Sequence, residues 1–357
     1  MSVLLSRSEG SGGVVPSGVV TGLRAGESFE SWLRRFSFLR HASVADTLAH
    51  LGCDAFAGES RSEWLFAMNE WALARLASFG RVDLGALRDS QFGSATADLL
   101  PDVSSALEAD RRAWVSLGTL RFCPACVAAG SGFLWRWQLG CTVACVEHSA
   151  LLRLGCMECG HQRWSPYARP ARSNDPVSGD ACPACEANLG AASTEAAGEA
   201  LLAAQRQVDA ALNGERSLFS SPAVAGAWFR SLTCAAALAS VAHSEGRARL
   251  RTRPSVIPMD PNSADRVLVD AVDAISSEEA FKNLCERAIM AHRERGTSRF
   301  SLGADLVTPE LSGLWDEVES EVGHTPGIRY QRERLTEPAK TPIETKGTVC
   351  EREGQRT

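Results

Sequence analysis

Four short pairs of metal-ligand residues constrain this chain more than anything else in it. They are Cys123/Cys126, Cys145/His148, Cys156/Cys159 and Cys182/Cys185, and every pair has two intervening residues. That spacing lets a tight turn aim both side chains at one tetrahedral ion, and thiolate and imidazole are the donors zinc prefers. Taken consecutively, the pairs build one site of three cysteines and a histidine with an eighteen-residue spacer, and one four-cysteine site with a twenty-two-residue spacer. Interleaved pairing, first knuckle with third and second with fourth, is the less compact alternative. In either case protein ligands fill all four positions of each ion, which suits a structural staple rather than an activated water. The expectation is two structural Zn2+ per chain.

Redox chemistry and disulfides compete for the same cysteines. The first residues, "MSVLLSRSEGSGG", have no basic region followed by an apolar run, so a signal peptide is not expected. No stretch approaches the roughly twenty apolar residues of a membrane span. A cytoplasmic location with no membrane contact is expected, and there twelve cysteines are better read as thiols and metal ligands than as disulfides. Cys141 and His161 lie beside the knuckles but break the uniform spacing and are expected to be ordinary packing or surface residues. Cys53, Cys234 and Cys285 fall on apolar faces and are expected core thiols.

Around this centre the chain reads as mainly α. Residues 1–21 form a Gly/Ser-rich leader. Residues 22–115 form an N-terminal helical domain. Within it, Ser28 caps a helix carrying Phe29, Trp32, Leu33, Phe36 and Leu39, and Ser43 with Asp46 starts a second helix that stops at Gly52. Two short helices joined by a tight turn, residues 28–52, outline a helix-turn-helix. A further helix should place Trp64, Leu65, Met68, Trp71 and Leu76 on one buried stripe, and Asp83 should cap the next. The knuckles occupy a loop-rich module over residues 116–190, too poor in periodic apolar residues to fold by its core alone.

A C-terminal helical domain over residues 191–299 should contain four helices. The first carries Leu201, Leu202, Gln205, Val208 and Leu212 and stops at Asn213-Gly214. The second carries Trp228, Phe229, Leu232, Leu238 and Val241, and the third Val267, Leu268, Val272 and Ile275. The last carries Phe281, Leu284, Ala288 and Ile289, from a Ser276/Glu279 capping box to Gly296. Residues 300–357 read as a mostly disordered tail with eleven acids against seven bases.

Function is narrowed by what is missing. The net charge of −6 argues against whole-surface attraction to nucleic acid but leaves room for a local basic face. Candidate nucleic-acid contacts are Arg34, Arg35 and Arg40 on the N-terminal helices, Arg136 and Arg163 among the aromatic residues of the zinc module, and Arg247, Arg249, Arg251 and Arg253 of "RARLRTR". The chain has no His-Glu-x-x-His, Walker A loop or Gly-x-Ser-x-Gly. Its His243-Ser244-Glu245 follows every knuckle, the reverse of the zinc-deaminase order. The chain reads as a binder with no catalytic residues, not an enzyme.

Two segments carry a resemblance to a known family. "ESFESWLRRFS", Glu27 to Ser37, resembles the opening helix of the TniQ/TnsD transposition target-selection proteins. "FCPAC" with "WRWQLGCTVACVEHSALLRLGCMECG" is similar to that family's Cys-Pro-x-Cys, Trp-Gln-Leu, Cys-x-x-His and Cys-x-x-Cys-Gly series. The similarity is good over residues 22–190, weaker to about residue 300 and absent beyond. Cys141 is an extra thiol outside the family's usual pattern. The resemblance implies a non-catalytic adaptor that recognises DNA or a DNA-bound guide complex and recruits an AAA+ ATPase, and through it a transposase, with room for a homodimer. It also assigns ligand roles to the eight knuckle residues. The competing reading is a zinc-ribbon, helix-turn-helix DNA-binding regulator unconnected to transposition.

Overall fold

A computed structural model of the 357-residue chain describes residues 22–53, 66–97, 120–162, 180–218, 221–222, 225–243 and 261–295, with scattered positions between 311 and 320. It is mainly helical, with three two-stranded ribbons among the described residues.

The N-terminal pair forms as the caps predict. Helix α1 (Phe29–Phe38) starts where the Ser28 hydroxyl accepts from Ser31 N–H, and α2 (Val44–His50) where Ser43 accepts from Asp46 N–H. Phe29, Trp32, Leu33 and Phe36 of α1 and Val44 and Leu48 of α2 enter one core. Helix α3 departs from the expected phase. A break at residues 67–69 is followed by a new start, with the Asn69 side chain accepting from Ala72 N–H and α3 running Glu70–Gly80. The restart rotates the buried stripe onto Ala72, Leu73, Leu76 and Ala77, and Trp71 is left 51% exposed. Met68 is buried in the loop before the helix; Trp64 and Leu65 lie outside the described residues. Helix α4 (Leu84–Asp89) is capped by Asp83, as expected, and the short α5 (Phe92–Ala95) follows.

The zinc-ligand region is built from single turns and two ribbons. Strand β1 (Arg121–Phe122) leads into α6 (Pro124–Ala128) and, after a 3-10 turn at Trp135–Gln138, into β2 (Ala144–Cys145), β3 (Ala150–Leu151) and β4 (Arg153–Leu154). β2 and β3 form a hairpin with Cys145 opposite Ala150, while β1 pairs antiparallel with β4, Phe122 opposite Arg153. Its core, including Phe122, Phe133, Trp137 and Leu189, is separate from the other two.

The third core is a helical bundle. Helix α7 (Glu199–Leu212) ends at Asn213, with Gly214 in the left-handed region at φ 100°. After the β5 (Ser217–Leu218) and β6 (Ser221–Pro222) ribbon come α8 (Ala225–His243), α9 (Pro261–Ala274) and α10 (Glu278–Arg295). The expected stripes Trp228/Phe229/Leu232/Leu238, Val267/Leu268/Val272/Ile275 and Phe281/Leu284/Ala288/Ile289 are all buried; the Val241 side chain and Gly296 lie outside the described residues. The last cap falls one residue later than expected. Ser277 accepts from Ala280 N–H, while the Ser276 hydroxyl turns back to the Val272 carbonyl. Part of the polar C-terminal stretch is also folded: Leu311 and Val318 are fully buried in this core. Their spacing of seven is two helical turns, a short signal among many charges.

Candidate metal centres and their supports

Each knuckle is a turn whose backbone geometry explains its spacing. Cys123 is the N-cap of α6, Pro124 takes the first helical position, and Cys126 sits one turn on, so both thiols face the same side. Cys145 ends β2, and His148 lies in the hairpin turn just before Ser149, whose φ is 49°. In the second pair of knuckles, Gly160 N–H returns to the Cys156 carbonyl, and Glu186 N–H returns to the Cys182 carbonyl. Glu186, at φ 64°, takes the left-handed conformation that closes the second turn.

The eight side chains gather into two sets, Cys123/Cys126/Cys145/His148 and Cys156/Cys159/Cys182/Cys185, with the ligand atoms of each set within 4.8 Å of one another. The pairing is therefore consecutive rather than interleaved. Within the first set, Cys126 Sγ lies 3.6 Å from Cys145 Sγ, and His148 Nδ1 lies 3.3 Å from Cys126 Sγ, 3.5 Å from Cys145 Sγ and 3.8 Å from Cys123 Sγ. In the second, Cys156 and Cys185 sulfurs are 3.6 Å apart, and Cys159 and Cys182 sulfurs 3.7 Å. A tetrahedron with zinc–sulfur bonds of about 2.3 Å has edges of about 3.8 Å, whereas a disulfide needs about 2.05 Å. The donor sets suit two structural zinc ions, each closed by four protein ligands.

Proton bookkeeping points the same way. Hydrogen bonds from Cys126 and Cys145 hold the Cys123 thiol down at about 3, while the same contacts push Cys126 far above the usual thiol range. Sulfurs packed this closely must share protons or a cation, and Cys123, Cys126, Cys145 and His148 would hold a zinc ion as such a cation once deprotonated. The two sets differ in cover. The first has three buried cysteines, while the second exposes Cys159 and Cys185.

Cys141 belongs to neither set. Its thiol is fully buried in the core of the C-terminal bundle, and burial raises its pKa to about 12. His161 also lies outside both sets, although its backbone carbonyl accepts from Cys156 N–H at 2.9 Å.

Three supports lock the centres to the helices. From the N-terminal side, residues 26–28 run alongside residues 133–135: Ser28 N–H donates to the Phe133 carbonyl at 2.8 Å and Trp135 N–H to the Gly26 carbonyl at 3.1 Å. The Glu27 carboxylate, buried under this seam, accepts from Ser31 Oγ and from Arg35 Nε and Nη2, the last at 2.6 Å. Gly132, at φ 74°, makes the close approach: a Cβ there would sit 2.7 Å from Glu27 Oε1. Second, Arg34 reaches from α1 to the Ala181 carbonyl beside Cys182. From the C-terminal side, Gln205 of α7 accepts through Oε1 from Val143 N–H at 3.0 Å and Ala144 N–H at 3.3 Å, on the hairpin that presents Cys145.

The expected nucleic-acid contacts divide. Arg34 is 4% exposed and Arg35 is paired with Glu27, so both guanidiniums serve the interior. Arg40 is half-buried, its guanidinium carbon 4.5 Å from the Phe36 ring centre and 4.0 Å from that of Phe79. Arg136 is half-buried on the 3-10 turn; Arg163, Arg247, Arg249, Arg251 and Arg253 lie outside the described residues. Sequence reasoning missed Arg75 and Arg81, which flank Arg40 in a surface cleft. The signal for them was the Asn69 restart, which turns Trp71 and Arg75, four residues apart, outward together.

Residues 19–152 match the TniQ family. The match takes in the N-terminal helices, the docking seam and all four ligands of the first centre, and stops before Cys156. No curated protein matches the chain.

Proposed function

With residues 19–152 assigned to the TniQ family, whose role is target selection in transposition, we propose that this chain is a non-catalytic adaptor. It engages target DNA or a DNA-bound targeting complex and recruits an AAA+ ATPase, which brings in the transposase. The observation that carries the reading is a contact between the two described ends of the matched segment: the start of α1, with the "ESFESWLRR" residues, docks on the stretch that spaces the ligands of the first centre. Zinc would hold that unit rigid, its binding appearing as folding free energy, so that helices on either side present fixed surfaces. On this reading the N-terminal helices and the C-terminal bundle supply the partner contacts, and the seven cysteines and His148 of the knuckles act as ligands.

The test is reconstitution. The zinc-loaded chain is mixed with a purified AAA+ ATPase of a transposition system and with target DNA, and complexes are resolved by size-exclusion chromatography. A complex of chain and ATPase is expected. A chain that ignores the ATPase and binds one duplex alone, with affinity falling steeply in salt, would instead be a zinc-ribbon regulator.

A further inference from the structure

A cleft of about 610 Å³ opens on the N-terminal helices, between the end of α1, the residue after α2 and the outward face of α3. Its floor is apolar, from Leu51, Trp71 and Phe79, and its walls carry Arg40, Arg75 and Arg81. No acidic side chain lines it, and among the described residues none of the three arginines has a carboxylate partner.

Two of the three cations make ring contacts. Arg40 is held between the Phe36 and Phe79 rings with Nη2 on the Phe79 carbonyl at 3.2 Å, and Arg75 lies 4.9 Å from the Trp71 ring centre. Burial, with the nearby Arg81 charge second, lowers the Arg40 pKa, so a counter-anion would relieve a repulsion already present. An arginine immobilised in advance loses little freedom on binding. Half-exposed tryptophan with arginines at its rim is also the composition of binding hot spots.

We propose that this cleft docks an acidic peptide segment of a partner protein. An apolar anchor residue sits on Leu51, Trp71 and Phe79, and flanking carboxylates pair with Arg40, Arg75 and Arg81. The floor favours a peptide over nucleic acid. A phosphate backbone would pair with the arginines but offers nothing apolar to cover Leu51 and Phe79, and the lining has no uncharged hydrogen-bonding groups for a base edge beyond the Ser78 hydroxyl and the Trp71 indole N–H. A peptide with one aliphatic or aromatic residue between acids satisfies floor and walls together. The inference stands on the cleft alone and holds whether or not the chain acts in transposition.

A random short-peptide display library, selected on the zinc-loaded full chain, provides the test. Trp71→Ala and a double Arg75→Glu/Arg81→Glu variant serve as counter-targets; all three side chains are exposed, and circular dichroism checks that each variant folds. Enriched peptides are expected to carry two or more Asp or Glu around one aromatic or aliphatic residue. A synthetic copy should bind each variant about tenfold or more weakly, and replacing its acids by amides should abolish binding. Failure to enrich acidic peptides over the counter-targets overturns the proposal. So does fluorescence anisotropy in which oligothymidylate, rather than any acidic peptide, loses binding with these substitutions.

Discussion

Arg34 and Ala181 are 147 residues apart in sequence, yet the guanidinium of the first donates to the carbonyl of the second at 3.3 Å, beside the zinc-ligand residue Cys182. Glu30, one turn earlier on α1, leads the charges that favour the cation, followed by Cys182 and Asp180, although burial pulls its pKa down to about 10. A four-thiolate zinc site is dianionic, and a buried cation beside it offsets that charge. Arg34→Met should therefore cost about 3 kcal/mol in chemical denaturation, because a buried charge network loses its cation. It should also speed zinc release from the four-cysteine centre, read with a chromogenic chelator, while leaving the first centre's release rate alone. Equal release from both centres would contradict the assignment.

Elemental analysis should return two zinc ions per chain. Cys126→Ser and Cys159→Ser should each reduce that to about one, since a three-ligand remnant holds zinc far more weakly than a closed site. Under a limiting chelator the second centre should empty first, because Cys159 and Cys185 are open to solvent while the cysteines of the first are not.

Gln205→Leu should leave Val143 and Ala144 N–H groups without their acceptor. A loss of about 1–3 kcal/mol is expected, as for other buried donors left unpaired. Hydrogen exchange should quicken at those two amides before it does elsewhere in the β2–β3 hairpin.

Gly132→Ala tests the seam. The added methyl group meets a buried carboxylate at 2.7 Å in a left-handed backbone conformation, so both clash and strain oppose it. A lower melting temperature is expected, by several degrees, and Glu27→Gln should not rescue it, because the amide is the same size.

Two buried thiols outside the centres give a pH dependence. Burial raises Cys141 and Cys234 to about 12. The unfolded chain releases these protons near pH 9, while the folded chain keeps them. Stability should therefore be full below about pH 9 and fall as pH rises towards 12. Neither thiol should react with iodoacetamide at pH 8 until the protein unfolds, as mass spectrometry of labelled peptides can show.

The ligand clusters were legible because their signal is local: spacing and donor type declare themselves within four residues. The caps Ser28, Ser43 and Asp83 were equally legible, each being a single side chain acting on its own helix. Trp71 was misplaced because one uninterrupted stripe and a stripe reset by an Asn69 cap are nearly the same string of residues. Arg34 and Arg35 looked like surface cations because nothing local marks their partners; Ala181 lies far along the chain, and Glu27 reads as an ordinary acidic residue before a helix. Leu311 and Val318 were hidden by surrounding charges, which composition weighs; among the described residues Glu317, beside Val318, is exposed and pairs with Lys282.

Glu27 also sets an order of events during synthesis. Its carboxylate is buried only when residues 133–135 lie across it, and those residues leave the ribosome about a hundred positions later. Until then α1 carries an ion pair with no roof, and the roof segment spaces the ligands of the first zinc centre. The seam over this carboxylate can therefore close only after the segment that carries the first centre's ligands has been made, whereas the core beneath α1 and α2 is built from residues 29–87 alone.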